Sequence, residues 1–145
     1  MSRSGESCVI TGGAGGIGQA AAEVWLEAGG VVVCADVDDD SGRAFERKHP
    51  GRVEYVHCDT RDPAQLEKAI FAAKRLGSFT CMFSNAGVGA ASDTLEGAFE
   101  NWDLMKRMID ININACSCGT YLALKHFDQE KGGVDGLVAD GLGTI

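Results

Sequence analysis

The sequence predicts an α/β fold, a doubly wound parallel sheet of about five strands in the order 3-2-1-4-5, and three observations predict it. Short apolar runs alternate with helix-patterned segments, the arrangement that joins parallel strands through right-handed crossovers. A glycine-rich turn, Thr11-Gly12-Gly13-Ala14-Gly15-Gly16-Ile17-Gly18, separates the first apolar run from the first helix. Asp36, Asp59 and Asn85 each follow an apolar run directly. They therefore fall at the carboxyl ends of strands, where sheets of this kind bind their ligands.

The first strand is carried by Cys8-Val9-Ile10, and the first helix by Gln19 to Leu26. Between them Gly12 lets the chain turn sharply, and Gly16 removes the Cβ that would block a pyrophosphate. Gly18 lets the helix lie close on its strand. The helix start then points unpaired N–H groups and the positive end of its dipole at an anion. Val31 to Asp36 is a second strand ending in an acid, 18 positions after Gly18, close to the about 20 at which a carboxylate meets an adenosine ribose. The series reads as a dinucleotide site. Asp36 accepts from the 2′- and 3′-hydroxyls of that ribose and repels a 2′-phosphate. Asp38, Asp39 and Asp40 add to the repulsion, and neither Gly13 nor Val37 supplies a cation, so NAD is expected over NADP. The same acids, with Ser41, can cap a second helix running to about Lys48.

His49-Pro50-Gly51 ends that helix, and Val53 to Cys58 alternates as a third strand before Asp59-Thr60. Asp62 is placed to cap a third helix with Pro63 in its first turn, and Leu66, Ile70 and Ala73 form the inner face. Ser78 to Ser84 is a fourth strand running into Asn85-Ala86-Gly87, which by itself is also compatible with a plain strand-to-turn exit. Val88 to about Ala98 is rich in Gly, Ala and Ser, and reads as a mobile loop with a short helix. Trp102 to Phe127 reads as one long helix with two apolar stripes. One is Ile109, Ile113 and Cys116 with Phe127 beyond; the other is Ile111, Ala115, Cys118 and Leu122. One stripe covers the sheet, and the second is left to meet another subunit. Glu130 to Gly133 breaks the helix, and Val134 to Ala139 is the expected fifth strand.

Composition narrows the function. A net charge of −8 and a pI near 4.7 oppose binding to nucleic acid or an anionic membrane. With 145 residues the expectation is a single domain, 1–145, around one core. The polar start Met1 to Ser7 and the lack of any long apolar run predict a cytoplasmic protein. Cys8, Cys34, Cys58 and Cys81 fall in predicted strands, and Cys116 and Cys118 in a helix, as small buried hydrophobes. They lack metal-ligand spacing, and His49, His57 and His126 are isolated, so no metal site is expected.

With Thr11-Gly12-x-x-x-Gly16-x-Gly18, Asp36, Asp59 and Asn85-Ala86-Gly87 in place, the chain resembles the NAD-dependent short-chain dehydrogenase/reductase family from about Ser7 to Phe127. Asp110-Ile111-Asn112-Ile113 with Gly119-Thr120-Tyr121-Leu122 is most similar to its hydroxyprostaglandin-dehydrogenase branch. The resemblance implies a Rossmann-type sheet. It implies that Gly12, Gly16, Ile17 and Gly18 hold the pyrophosphate, that Asp36 holds the adenosine ribose, and that Asp59, followed by Thr60, meets the adenine amino group. Asn85, Ala86 and Gly87 would line the nicotinamide-side ribose and steady the central strands. Asn112 matches the helix asparagine that kinks the backbone and positions a water of the proton relay, although a mid-helix Asn can also be merely solvent-exposed.

The departures shape the functional expectation. The family uses a Ser on the fifth strand and then Tyr-x-x-x-Lys on the next helix. Here Tyr121-x-x-x-Lys125 lies on the helix of Asn112, before the fifth strand, and is read as a chance helical pair. Leu137 to Thr144 carries no serine. The expectation is the NAD-binding portion of an oxidoreductase acting on a secondary alcohol or ketone, shortened and without turnover by itself. The small-molecule substrate then belongs to a complete relative. The alternatives are a non-catalytic NAD-binding protein that dimerises through helix 102–127, and a methyltransferase of related architecture, which the TGxxxGxG form and the Asn85-Ala86-Gly87 exit disfavour.

Overall fold

The computed structural model describes residues 2–89 and 102–127. Four strands, β1 (Glu6–Thr11), β2 (Val31–Asp36), β3 (Val53–His57) and β4 (Ser78–Ser84), alternate with helices α1 (Gly16–Glu27), α2 (Asp39–Lys48) and α3 (Pro63–Leu76). A last helical stretch comprises α4 (Trp102–Ile109), a π-helical segment (Asp110–Ala115) and α5 (Cys116–His126). The strands are all parallel in the order β3-β2-β1-β4, which agrees with the first four places of the predicted order. The expected fifth strand, Val134 to Ala139, and most of the loop after Val88 lie outside the described residues.

Alternation along the strands sorts the core into two layers. On one face Cys8, Ile10, Val32, Cys34 and Val53 meet Ala22 and Leu26 of α1 and Phe45 of α2. On the other, Val9, Val33, Ala35, Val56 and Met82 meet Leu66, Ala69, Ile70 and Ala73 of α3 and Leu122 and Ala123 of α5. Helices cover both faces, so the sheet is doubly wound. Local chemistry sets the helix starts. The Asp38 side chain accepts from the Ser41 amide at 3.0 Å, and that of Asp62 from the Ala64 amide at 2.9 Å with Pro63 in the first turn. Gly42 is required where α2 crosses Tyr55, because a Cβ there would run into the ring.

The long C-terminal helix keeps the two expected stripes on different sides, and corrects the expectation at Phe127. Ala115, Gly119, Leu122, Ala123 and Phe127 are buried, whereas Ile109 and Ile113 are exposed and Ile111 turns to a cleft. Phe127 belongs to the core side, its ring 5.0 Å from that of Phe79. Two causes act. The π-helical segment inserts an extra residue into the turn and changes the phase between the residues before and after it. Phe127 has also left helical geometry, with φ −54° and ψ 141°, so its direction no longer follows the stripe.

Candidate functional site

Thr11, the last residue of β1, is buried, and its hydroxyl oxygen accepts from the amides of Asn85 at 3.0 Å and Ala86 at 3.1 Å. One hydroxyl thus ties the exits of β1 and β4 together. The Asn85 side-chain amide donates to the carbonyls of Thr11 and Gly12, at 3.0 and 3.2 Å, a second tie between the ends of β4 and β1. Gly12 has φ +64°, and a Cβ on it would lie 2.9 Å from Ala86 Cα. Only glycine fits both the conformation and the space.

Gly16 and Gly18 have different surroundings. A Cβ at Gly18 would strike the Gly12 carbonyl oxygen and lie 2.7 Å from Gly13 Cα, whereas at Gly16 nothing stands within 4 Å. The first glycine to the helix side is therefore open to a ligand, and the second closes helix on turn. The α1 N-terminus carries no side-chain cap at Gly15, which leaves its leading N–H groups facing that open space.

Asp36, at the end of β2, accepts from the Ala14 amide at 2.9 Å through Oδ2 and from the Asp38 amide at 3.1 Å through Oδ1. These bonds fix the carboxylate against the glycine turn, and each oxygen retains a second lone pair. Asp39 is drawn away from this site: its Oδ1 lies 2.6 Å from the Tyr55 hydroxyl and 2.7 Å from His57 Nδ1. Those two hydrogen bonds hold the Asp39 carboxyl below its ordinary range, while burial and the neighbouring Asp39 push the Tyr55 phenol up.

Asp59 is clamped. Arg61 Nε lies 3.0 and 3.2 Å from its two oxygens, Arg61 Nη2 bonds Oδ2, and the Arg61 amide donates to Oδ1 at 3.0 Å. The guanidinium holds this carboxyl below the usual carboxylate range. Asn112, in the π-helical segment, accepts from the Val88 amide through Oδ1 and donates to the Val88 carbonyl through Nδ2, both at 2.9 Å. Its side chain therefore pairs with a backbone unit just past Gly87, and the helix asparagine does sit where the helix departs from α geometry.

Ten residues singled out in the sequence, Gly12, Gly16, Ile17, Gly18, Asp36, Asp59, Thr60, Asn85, Ala86 and Gly87, line one cleft of about 430 Å³ beyond the carboxyl ends of the strands. Asn112 does not line it but holds Val88, which does. Sequence reasoning missed Arg61, Arg107 and Ile111, which also line the cleft. The two-residue step from Asp59 to Arg61 was the one available signal. Ile111 was hidden in an expected apolar stripe, and Arg107, four residues before it, carried no signal of its own. Among the described residues, no group of three or more His, Cys, Asp or Glu is placed to hold a metal, and no helix is long and apolar enough to cross a membrane.

Residues 6–134 match the family model described as short chain dehydrogenase. The chain is 36% identical over 125 residues to short chain aldehyde dehydrogenase 1 of Euphorbia lathyris, covering 84% of this chain and 42% of the relative. It is 33% identical over 127 residues to tropinone reductase-like 2 of Erythroxylum coca, covering 84% and 44%. Among solved structures, a short-chain dehydrogenase/reductase from Brucella melitensis described as a glucose/ribitol dehydrogenase superposes with a TM-score of 0.77 at 26% identity, over 88% of this chain and 55% of that one. The type-2 3-hydroxyacyl-CoA dehydrogenase of Mycobacterium avium gives 0.75, also at 26% identity, over 84% and 49%. The chain spans less than half the length of these curated relatives.

Proposed function

The chain belongs to the short chain dehydrogenase family, and from that premise we propose that it is the NAD-binding portion of an oxidoreductase acting on a secondary alcohol or ketone, without turnover by itself. The observation that carries the reading is the convergence of the glycine turn, Asp36, Asp59 and the Asn85-Ala86-Gly87 exit on one cleft. The cradle fits a dinucleotide: Gly16 leaves room for a pyrophosphate at an uncapped helix start, and Asp36 is fixed with lone pairs free for ribose hydroxyls. A bound nicotinamide supplies the hydride chemistry. This chain's residues bind and orient it. Asp36 selects NAD by repelling a 2′-phosphate, and Arg61 does not relieve that repulsion because Asp59 engages its guanidinium. Asn112 holds the turn after Gly87 in place, and through it the nicotinamide end of the cleft. The finer placement beside the hydroxyprostaglandin-dehydrogenase branch rests on Asp110 to Ile113 and Gly119 to Leu122.

Isothermal titration of the chain with NAD and with NADP, repeated on Asp36→Ala, tests the reading. NAD should bind at least about tenfold more tightly than NADP, and the substitution should erase the difference. Binding of neither dinucleotide, or equal binding of both by the unaltered chain, would refute it. A second reading, a non-catalytic protein that pairs with another copy through helix 102–127, is favoured by the exposure of Ile113 (58%) and Trp102 (70%). Sedimentation as a monomer at micromolar concentration would remove that one.

A further inference from the structure

Cys8 of β1 and Cys81 of β4 are register partners in the parallel pair at one end of the described sheet. Neighbouring strands run about 4.8 Å apart, inside the roughly 4.4–6.8 Å over which a disulfide links two Cα atoms. Both side chains belong to the same core layer, the one facing α1, and the Cys8 thiol donates to the Val9 carbonyl at 3.5 Å. They also share the wall of an apolar cavity of about 170 Å³ with Ile10, Ala21, Trp25 and Phe83. Cys8 is 1% exposed and Cys81 9%, so Cys81 is the less enclosed of the two.

The other four cysteines have no such arrangement. Cys34 pairs in register with Ile10 and Tyr55, and Cys58 follows the end of β3. Cys116 and Cys118 are two apart on α5, a spacing that turns side chains to different faces of a helix.

We propose that Cys8 and Cys81 form a redox-active dithiol, closed to a disulfide between β1 and β4 by a hydroperoxide. In the first step the Cys81 thiolate attacks the terminal peroxide oxygen. The O–O bond breaks, Cys81 becomes a sulfenic acid, and the leaving alkoxide or hydroxide takes up the proton that Cys81 gave up. In the second, the Cys8 sulfur attacks the Cys81 sulfur, the S–O bond breaks, and the hydroxyl leaves as water with the Cys8 proton. Two thiols are oxidised by two electrons and one peroxide is reduced. The neighbouring Cys8 thiol, with Arg3 nearby, holds the Cys81 thiol below its ordinary value, while burial pushes Cys8 up. The less enclosed Cys81 is thus the attacking sulfur and the enclosed Cys8 the resolving one.

The experiment uses the reduced 145-residue chain, treated with one equivalent of hydrogen peroxide, denatured, alkylated with iodoacetamide and weighed. The expected product carries four alkylated cysteines of the six and has lost about 2 Da before alkylation. Fragmentation of the linked peptides should place the bond at Cys8 and Cys81. Cys8→Ser should abolish the bond and leave Cys81 as a sulfenic acid that dimedone captures, with the far-UV circular dichroism spectrum unchanged. Six alkylated cysteines after oxidation, or a bond between any other pair, would overturn the proposal. So would an undiminished 2 Da loss in Cys8→Ser. If that variant does not fold, the linkage map of the unaltered chain decides alone.

Discussion

Gly16 and Gly18 stand two residues apart in one turn, yet a methyl group would have opposite consequences at each. Gly18→Ala drives a Cβ onto the Gly12 carbonyl and Gly13 Cα, so the variant should lose about 1–3 kcal/mol of stability in urea unfolding. Gly16→Ala meets nothing and replaces glycine in the first turn of a helix. Its stability should be unchanged or higher by up to about 1 kcal/mol. On the proposed function its affinity for NAD, measured by titration, should fall at least about tenfold, because the methyl enters the pyrophosphate's place. Fold and binding are thereby separated by two single-atom changes. Such distinctions were only half visible in the sequence. The TGxxxGxG spacing marked which glycines matter, but which one faces solvent and which one faces backbone depends on how α1 docks. Likewise Asp36 and Asp59 stood out as acids at strand ends, while the Ala14 amide on one and the Arg61 clamp on the other are loop contacts without periodicity.

At the scale of the element, the π-helical segment was marked in the sequence by Asn112 alone, through the kink that the family resemblance implied. Periodicity over 102–127 indicated a continuous helix, and averaging over so many residues conceals one inserted residue. Its side chain Asn112 pairs with both polar groups of the Val88 backbone, much as a neighbouring strand would. Asn112→Ala should therefore cost about 1–3 kcal/mol and speed hydrogen exchange at the Val88 amide. Exchange as slow as in the unaltered chain would show that the helix positions this turn without the side chain. The helix starts, in contrast, were readable, because a cap is a local device. Asp62-Pro63 was recognised from two adjacent residues, and the cluster Asp38 to Ser41 marked the start of α2 without saying that Asp38 is the cap. Asp38→Ala should lower stability by about 0.5–2 kcal/mol, read as a shift of the urea midpoint.

For the whole molecule, the sheet order followed from alternation, since strand–helix–strand units admit few chain paths. Both core layers contain thiols, and this makes stability depend on alkali. Burial and nearby carboxylates push the Cys34 and Cys58 thiols up from 9.0 to about 12. A group whose folded-state value is raised contributes its full stability below the unfolded value and loses it as pH climbs to the folded one. Unfolding free energy should therefore hold up to about pH 9 and then fall towards pH 12, by about 1.4 kcal/mol per pH unit for each thiol. Urea titrations across that window, on the unaltered chain and on Cys34→Ala with Cys58→Ala, should show the slope flattening in the double variant.

The position of β1 between β2 and β4 also bears on biosynthesis. Thr11 and its partner Asn85 are 74 residues apart, so at about 5–20 residues per second a ribosome needs about 4 to 15 s to deliver the second after the first. During that interval β2 can already lie on one flank of β1. Its other edge is a bare row of backbone donors and acceptors, with the side chains of Cys8 and Ile10 on the adjoining face. The nascent chain is thus most adhesive just before β4 emerges, and a chaperone that shields newly made strands has its longest task there.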